Sequence, residues 1–201
     1  MKKILILALC LVAVSMTGCK KKHSAQNEVV PTPTPTQVTA IENGAIGVTE
    51  ENGKVKVNMP KEAFGENVAD MAEKIKNSRG FEAADVQADG SVTFVMTKTQ
   101  HRIWLEETKE NAEDIAERVI EDFRALDDVE FNRDLTEATI EAEGHLFETK
   151  IDNGAAQGVA NAAFIYQSMS GVKKENLKVI VKFVNDETNE VLETVEVLGN
   201  K

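Results

Sequence analysis

Cysteine, histidine and carboxylate side chains are the groups in this sequence with chemistry to offer, and their spacing narrows what that chemistry is. His101 falls on the apolar stripe of a helical segment, close to Trp104 and Leu105. A general base or ligand there would need partners of defined geometry, and the other histidine of that region, His145, lies on a predicted strand. For both, the favoured reading is a histidine that satisfies its hydrogen bonds within the fold. Glu110, Glu113 and Glu117, with Glu106, Asp114 and Glu121, line the opposite face of the same helix. Like charges then meet at i+3 and i+4, at a cost of a few tenths of a kcal/mol each. Calcium or a basic partner would relieve this, yet no Asp-x-Asp-x-Asp-Gly loop converges oxygens on a cation, and a solvated acidic face is favoured. Ile103 interrupts that face and points to a contact with another layer or a partner. The sequence has no Gly-x-Ser-x-Gly elbow and no His-Glu-x-x-His pair. His101, Trp104, Glu110, Glu113 and Glu117 are therefore candidate binding residues, with no catalytic residue, metal site or cofactor assigned. A glycosidase needs only two suitably spaced carboxylates, which keeps a cell-wall-active enzyme, or an accessory subunit of one, as the alternative. A single Trp and few aromatics speak against a sugar-stacking cleft.

Cys19 is different, because everything before it points to one reaction of its thiol. Lys2 and Lys3 form a basic start, and Ile4 to Val14 is an apolar run too short to span a bilayer permanently, as in a secretory signal. Ser15, Met16, Thr17 and Gly18 then lead into Cys19 as in a bacterial lipobox, where the thiol takes a diacylglyceryl group and the signal is cut before it. Met16 fills the position that more often holds Leu. Cys10 follows the bulky Leu9 within the apolar run and belongs to the discarded signal. Acyl chains attach by about 0.8 kcal/mol per buried CH₂, so several together hold firmly. Lys20, Lys21 and Lys22 beside the anchor suit anionic headgroups, at about 1 kcal/mol each, or serve as a solubilising flank.

With Cys19 acylated, the folded part has no disulfide and no thiol nucleophile, so its stability must come from an apolar core. Losing residues 1–18 removes Lys2 and Lys3 and no acid, which takes the formal charge from −11 to −13. A nucleic-acid partner is excluded on that balance, since phosphate neutralisation needs a basic surface.

The elements that must position these groups follow in order. Residues 19–51 read as a lipid-anchored disordered tether. Pro31, Pro33 and Pro35 alternate with threonines, which favours extended polyproline II. The domain, residues 52–201, opens with a turn at Asn52-Gly53 and a strand over Lys54–Met59. Phe64, Val68, Met71, Ala72 and Ile75 share one face of a helix that Gly80 ends. Asp89-Gly90 predicts a hairpin between strands at 81–87 and 92–96. Thr97 with Gln100 forms a capping-box pattern that opens the longest helix, to about Phe123. A second strand pair spans Asn132 to Leu135, its second member extending toward Phe147. An uncharged, alanine-rich helix from Gly154 to about Ser170 reads as sandwiched, and strands at 177–184 and 191–197 finish the chain. The order is β-(αββ)x3: an α+β, two-layer domain with an antiparallel sheet of about seven strands and three helices.

The segment Asp89-Gly90-Ser91-Val92-Thr93-Phe94-Val95-Met96-Thr97-Lys98-Thr99-Gln100-His101 resembles one found in a group of uncharacterised lipoproteins from Gram-positive anaerobes. The similarity extends loosely over residues 54–197, including the final hairpin around Asn185-Asp186-Glu187-Thr188-Asn189-Glu190. It implies an envelope address and these domain limits, and no catalytic residue. The resulting expectation is a non-catalytic module, lipid-anchored through Cys19 on the outer face of the bacterial cytoplasmic membrane. Its expected partner is an envelope protein or a cell-wall component.

Overall fold

The computed structural model describes residues 36–39 and 46–199. The expected signal at 1–18, Cys19 and the run through Pro35 lie outside the described residues. Asn52 and Gly53 both adopt positive φ, 51° and 76°, the geometry that a two-residue hairpin turn requires. They join β2 (Gly47–Glu51) to β3 (Lys54–Met59), antiparallel, with Glu51 opposite Lys54. α1 (Val68–Arg79) follows and stops at Gly80, whose left-handed φ of 65° caps the helix. β4 (Ala83–Val86) and β5 (Val92–Thr97) complete an antiparallel four-stranded sheet in the order β2-β3-β5-β4. In the β4–β5 turn the Asp89 carboxylate accepts the Ser91 N–H at 3.0 Å and the Ser91 hydroxyl at 2.8 Å. Those two bonds favour its charged form and hold it below the ordinary aspartate range.

Thr97 caps α2 (Lys98–Ile120), with both halves of the capping box formed to Gln100. At 23 residues α2 is about 35 Å long and carries the chain from the first sheet to a second. There β6 (Leu126–Phe131) and β7 (Glu137–Ala142) form one hairpin, α3 (Thr149–Met169) crosses over, and β8 (Lys178–Asn185) and β9 (Val191–Leu198) form another. The crossover makes β7 and β8 parallel neighbours. A further strand, β1 (Thr36–Thr39), lies parallel against β9, giving the order β1-β9-β8-β7-β6.

From β3 onward the helix-strand-strand order recurs three times, as the patterning predicts. Three expectations are corrected. The strands do not form one antiparallel sheet, because α2 separates β5 from β6 by its whole length and the α3 crossover sets β8 parallel to β7. The stretch read as a tether to residue 51 holds both β1 and β2. β2 hid because four of its five residues are exposed, so it has no apolar alternation to detect. The strand expected through His145 and Phe147 ends at Ala142. The N–H groups of Leu146 and Phe147 instead close turns on the Glu143 carbonyl.

Each sheet has its own core. Val55, Val57, Phe94 and Met96 of the four-stranded sheet bury with Phe64, Phe81, Ala72 and Trp104. Ile140, Val179, Val181, Phe183 and Val195 of the five-stranded sheet bury under Ala116, Ile120, Ala156, Val159 and Ala163. α2 and α3 belong to both: Trp104 and Met169 sit in the first core, while the rest of their buried apolar residues lie in the second. Among the described residues no helix is long and apolar enough to cross a membrane.

Candidate functional site

α2 and α3 run antiparallel and touch most closely where glycine removes a side chain. A Cβ at Gly158 would lie 2.6 Å from Cγ1 of Val119, and one at Gly154 would lie 3.5 Å from the Phe123 ring. Toward the other end of the pair lies a cleft of about 290 Å³. Trp104, Thr108, Asn111, Ala112 and Ile115 of α2 face Ala162, Ile165 and Met169 of α3 across it, and Met59 of β3 closes one end. No side chain of this lining is ionisable. The Thr108 hydroxyl donates to the Trp104 carbonyl at 2.6 Å, which leaves the wall largely apolar. Ile165 is 40% exposed, a large apolar side chain at the mouth of the cleft.

Trp104 is packed on two sides by aromatic rings. Trp104 stands edge-on to Phe94 at 5.6 Å and tilts against Phe81 at 5.1 Å. The Arg79 guanidinium lies 5.2 Å above its ring, a cation–π contact, and pairs with Glu107. His101 does not line the cleft. Its Nε2 lies 2.9 Å from the Met169 carbonyl oxygen, and since a carbonyl only accepts, Nε2 is the donor. It satisfies a carbonyl that the last turn of α3 would otherwise leave without an intrahelical partner.

The remaining sequence candidates stay apart from this site. Glu110 and Glu117 are exposed on the far face of α2, and Glu113 lies 3.8 Å from Lys109. Glu117 and Glu121 border a separate hollow of about 320 Å³ with Asp127 and Asp128 at the start of β6. Among the described residues no group of three or more His, Cys, Asp or Glu is placed to hold a metal ion. His145 is open to solvent, 3.7 Å from Glu143. Ile103 remains 47% exposed, in a shallow hollow with Gln100 and Glu107.

Of the candidates, the structure thus brings Trp104 into the cleft and His101 beside it. Met59, Thr108, Asn111 and Ile165 were missed, because a cleft between two helices and a strand of another sheet has no linear signature. The one sequence signal was the lack of charge over residues 154–170, most of α3. Compared with family models, with curated proteins and with solved structures, the chain matches none.

Proposed function

We propose that this chain is a non-catalytic binding module, lipid-anchored through Cys19 on the outer face of a bacterial cytoplasmic membrane. It holds an apolar group of another envelope component in the α2–α3 cleft. The observation that carries the binding reading is the lining of that cleft: apolar walls, no ionisable group, and Ile165 held exposed at its mouth. Burying a side chain of that size contributes about 1.5–3 kcal/mol, one apolar anchor within a larger contact, and the cleft has no group to activate a bond. The basic start, short apolar run and small residues before Cys19 support the address. So does the likeness of the Asp89–His101 segment to Gram-positive lipoproteins.

Two experiments test the two halves. Cys19→Ala should move the protein from the membrane fraction to the medium, and continued membrane retention would refute the anchor. A photo-crosslinking residue at position 165 should capture a discrete envelope component in cells, and Ala162→Trp, which fills the cleft, should abolish the capture. Capture that survives the filled cleft would refute the site.

A wall-active enzyme or accessory subunit is the second reading, favoured by one observation: Glu117, Glu121, Asp127 and Asp128 border a single hollow. Hydrolysis of purified wall polymer that disappears in Glu117→Gln/Asp128→Asn would establish it in place of the first.

A further inference from the structure

We propose that the α2–α3 cleft takes its apolar group from a cationic amphipathic helix of a partner protein, laid along α2. The proposal rests on the binding reading above and names the partner's chemistry. The two lips of the cleft differ in charge. On α3, residues 154–170 include no Asp, Glu, Lys or Arg, whereas residues 106–117 of α2 include six acids and one base, Lys109. Lys109 is engaged elsewhere, its Nζ donating to the Arg133 carbonyl at 3.2 Å and lying 3.8 Å from Glu113. Glu107 pairs with Arg79. Glu106, Glu110, Asp114 and Glu117 are exposed and have no ion pair among the described residues.

Those acids begin where the cleft opens. Of the α2 residues that line it, Asn111 is the exposed one. Glu107 and Asp114, at i−4 and i+3 from Asn111, continue its row along the helix, with Glu110 and Glu117 behind. Arg118 ends that row, and its Nε donates to the Asp114 carbonyl at 3.1 Å. A partner seated in the cleft therefore meets apolar surface on the α3 side, with Ile165 at the mouth, and unpaired carboxylates on the α2 side. From Trp104 to Ile115 the lining runs along about 16 Å of α2, three helical turns. A helix lying in a groove of that length sets apolar side chains at i and i+4 about 6 Å apart, with cations on an adjacent row. Lysine or arginine there would relieve the repulsion among the α2 acids at i+3 and i+4. Anionic lipid and anionic wall polymer bring the wrong sign of charge.

The test uses the full chain carrying Cys19→Ala, so that no acyl chain competes for the cleft. The probes are two amphipathic helical peptides of about 18 residues with leucine at the same positions, one with lysine and one with glutamine on the polar face. Neither contains tryptophan, so emission from Trp104, the only tryptophan of the chain and part of the cleft wall, reports on the cleft, and calorimetry gives the affinities. At low salt the lysine peptide should shift Trp104 emission and bind at least about tenfold more tightly than the glutamine peptide, a ratio that shrinks in about 0.5 M salt. Glu110→Gln/Asp114→Asn/Glu117→Gln should bring the ratio to about threefold or less, while Asp186→Asn/Glu187→Gln/Glu190→Gln, the same change of charge in the β8–β9 turn, should leave it unchanged. Ile165→Ser, at an exposed position, should weaken both peptides about fivefold. Equal affinities with Trp104 emission shifted by both peptides would overturn the cationic partner and leave the cleft reading standing. An equal loss of preference in the turn variant would overturn it too, since net charge alone would then set the ratio. Affinities unmoved by Ile165→Ser would place the peptides outside the cleft and overturn the inference. No response of Trp104 to either peptide would also overturn it, and capture at position 165 would still decide the cleft.

Discussion

A methyl group at Gly158 would press within 2.6 Å of Cγ1 and 3.1 Å of Cγ2 of Val119, a β-branched side chain with little freedom to turn away. Gly158→Ala should therefore destabilise the protein by about 1–2 kcal/mol in urea unfolding, overpacking outweighing the roughly 1 kcal/mol gained in helix propensity. Adding Val119→Ala should recover part of the loss, a coupling that an independent pair would not show. Gln167 is the opposite case, a polar side chain 2% exposed. Its amide donates to the Leu135 carbonyl at 2.7 Å and the Lys178 carbonyl at 3.0 Å, tying α3 to the β6–β7 turn and to the start of β8. Leu135 itself takes a φ of 51° there, unusual for leucine, with its side chain fully buried. Gln167→Leu would strand both carbonyls and should cost about 3 kcal/mol in the same measurement. Asp89 carries a pH dependence. Its folded pKa is depressed by Ser91, so its contribution is complete above the unfolded value and fades as the pH falls through the folded one. An NMR titration should place the Asp89 midpoint below the ordinary aspartate range, and Ser91→Ala should raise it.

The elements that were legible in the sequence are those whose signal is local. The capping box of α2, the Asp89-Gly90 turn and the apolar stripe containing Ala112 and Ala116 depend on residues a few positions apart, and each has the expected geometry. β2 had a local signal on one side only. Asn52-Gly53 is a strong two-residue hairpin motif, but the strand before it is an exposed edge and looks like the polar stretch that precedes it. The partition into two sheets and the cleft depend on how α2 and α3 pack, which no local pattern contains. Gln100 adds a link between elements. Besides completing the box, its side-chain amide donates to the Gly80 carbonyl at 2.7 Å, joining the end of α1 to the start of α2. Thr97→Ala should cost about 1 kcal/mol. Gln100→Ala should cost more, about 2 kcal/mol, since it removes the reciprocal cap and the link to α1 together. Urea unfolding of the two variants side by side would order them.

On the scale of the whole molecule, the two sheets share their helices, and that sharing predicts how the protein unfolds. Trp104 is the only tryptophan in the sequence and reports on the core of the four-stranded sheet. Far-ultraviolet circular dichroism reports on all helices and strands. Because α2 and α3 contribute to both cores, the two signals should give one coincident transition in urea. Separate midpoints would show the two halves melting independently. The strand order has a further consequence for a chain that emerges amino end first, from a ribosome or through a membrane. Every strand of the four-stranded sheet is out by Thr97, whereas the five-stranded sheet remains a lone β6–β7 hairpin until β8 arrives. β1 appears before any other described strand, yet its neighbour β9 is the last to appear. The earliest strand therefore waits through the whole of synthesis for its seat. A chain cut short before Val191 would keep a finished first sheet beside an unclosed second one, and its amino-terminal strand would have nowhere to dock.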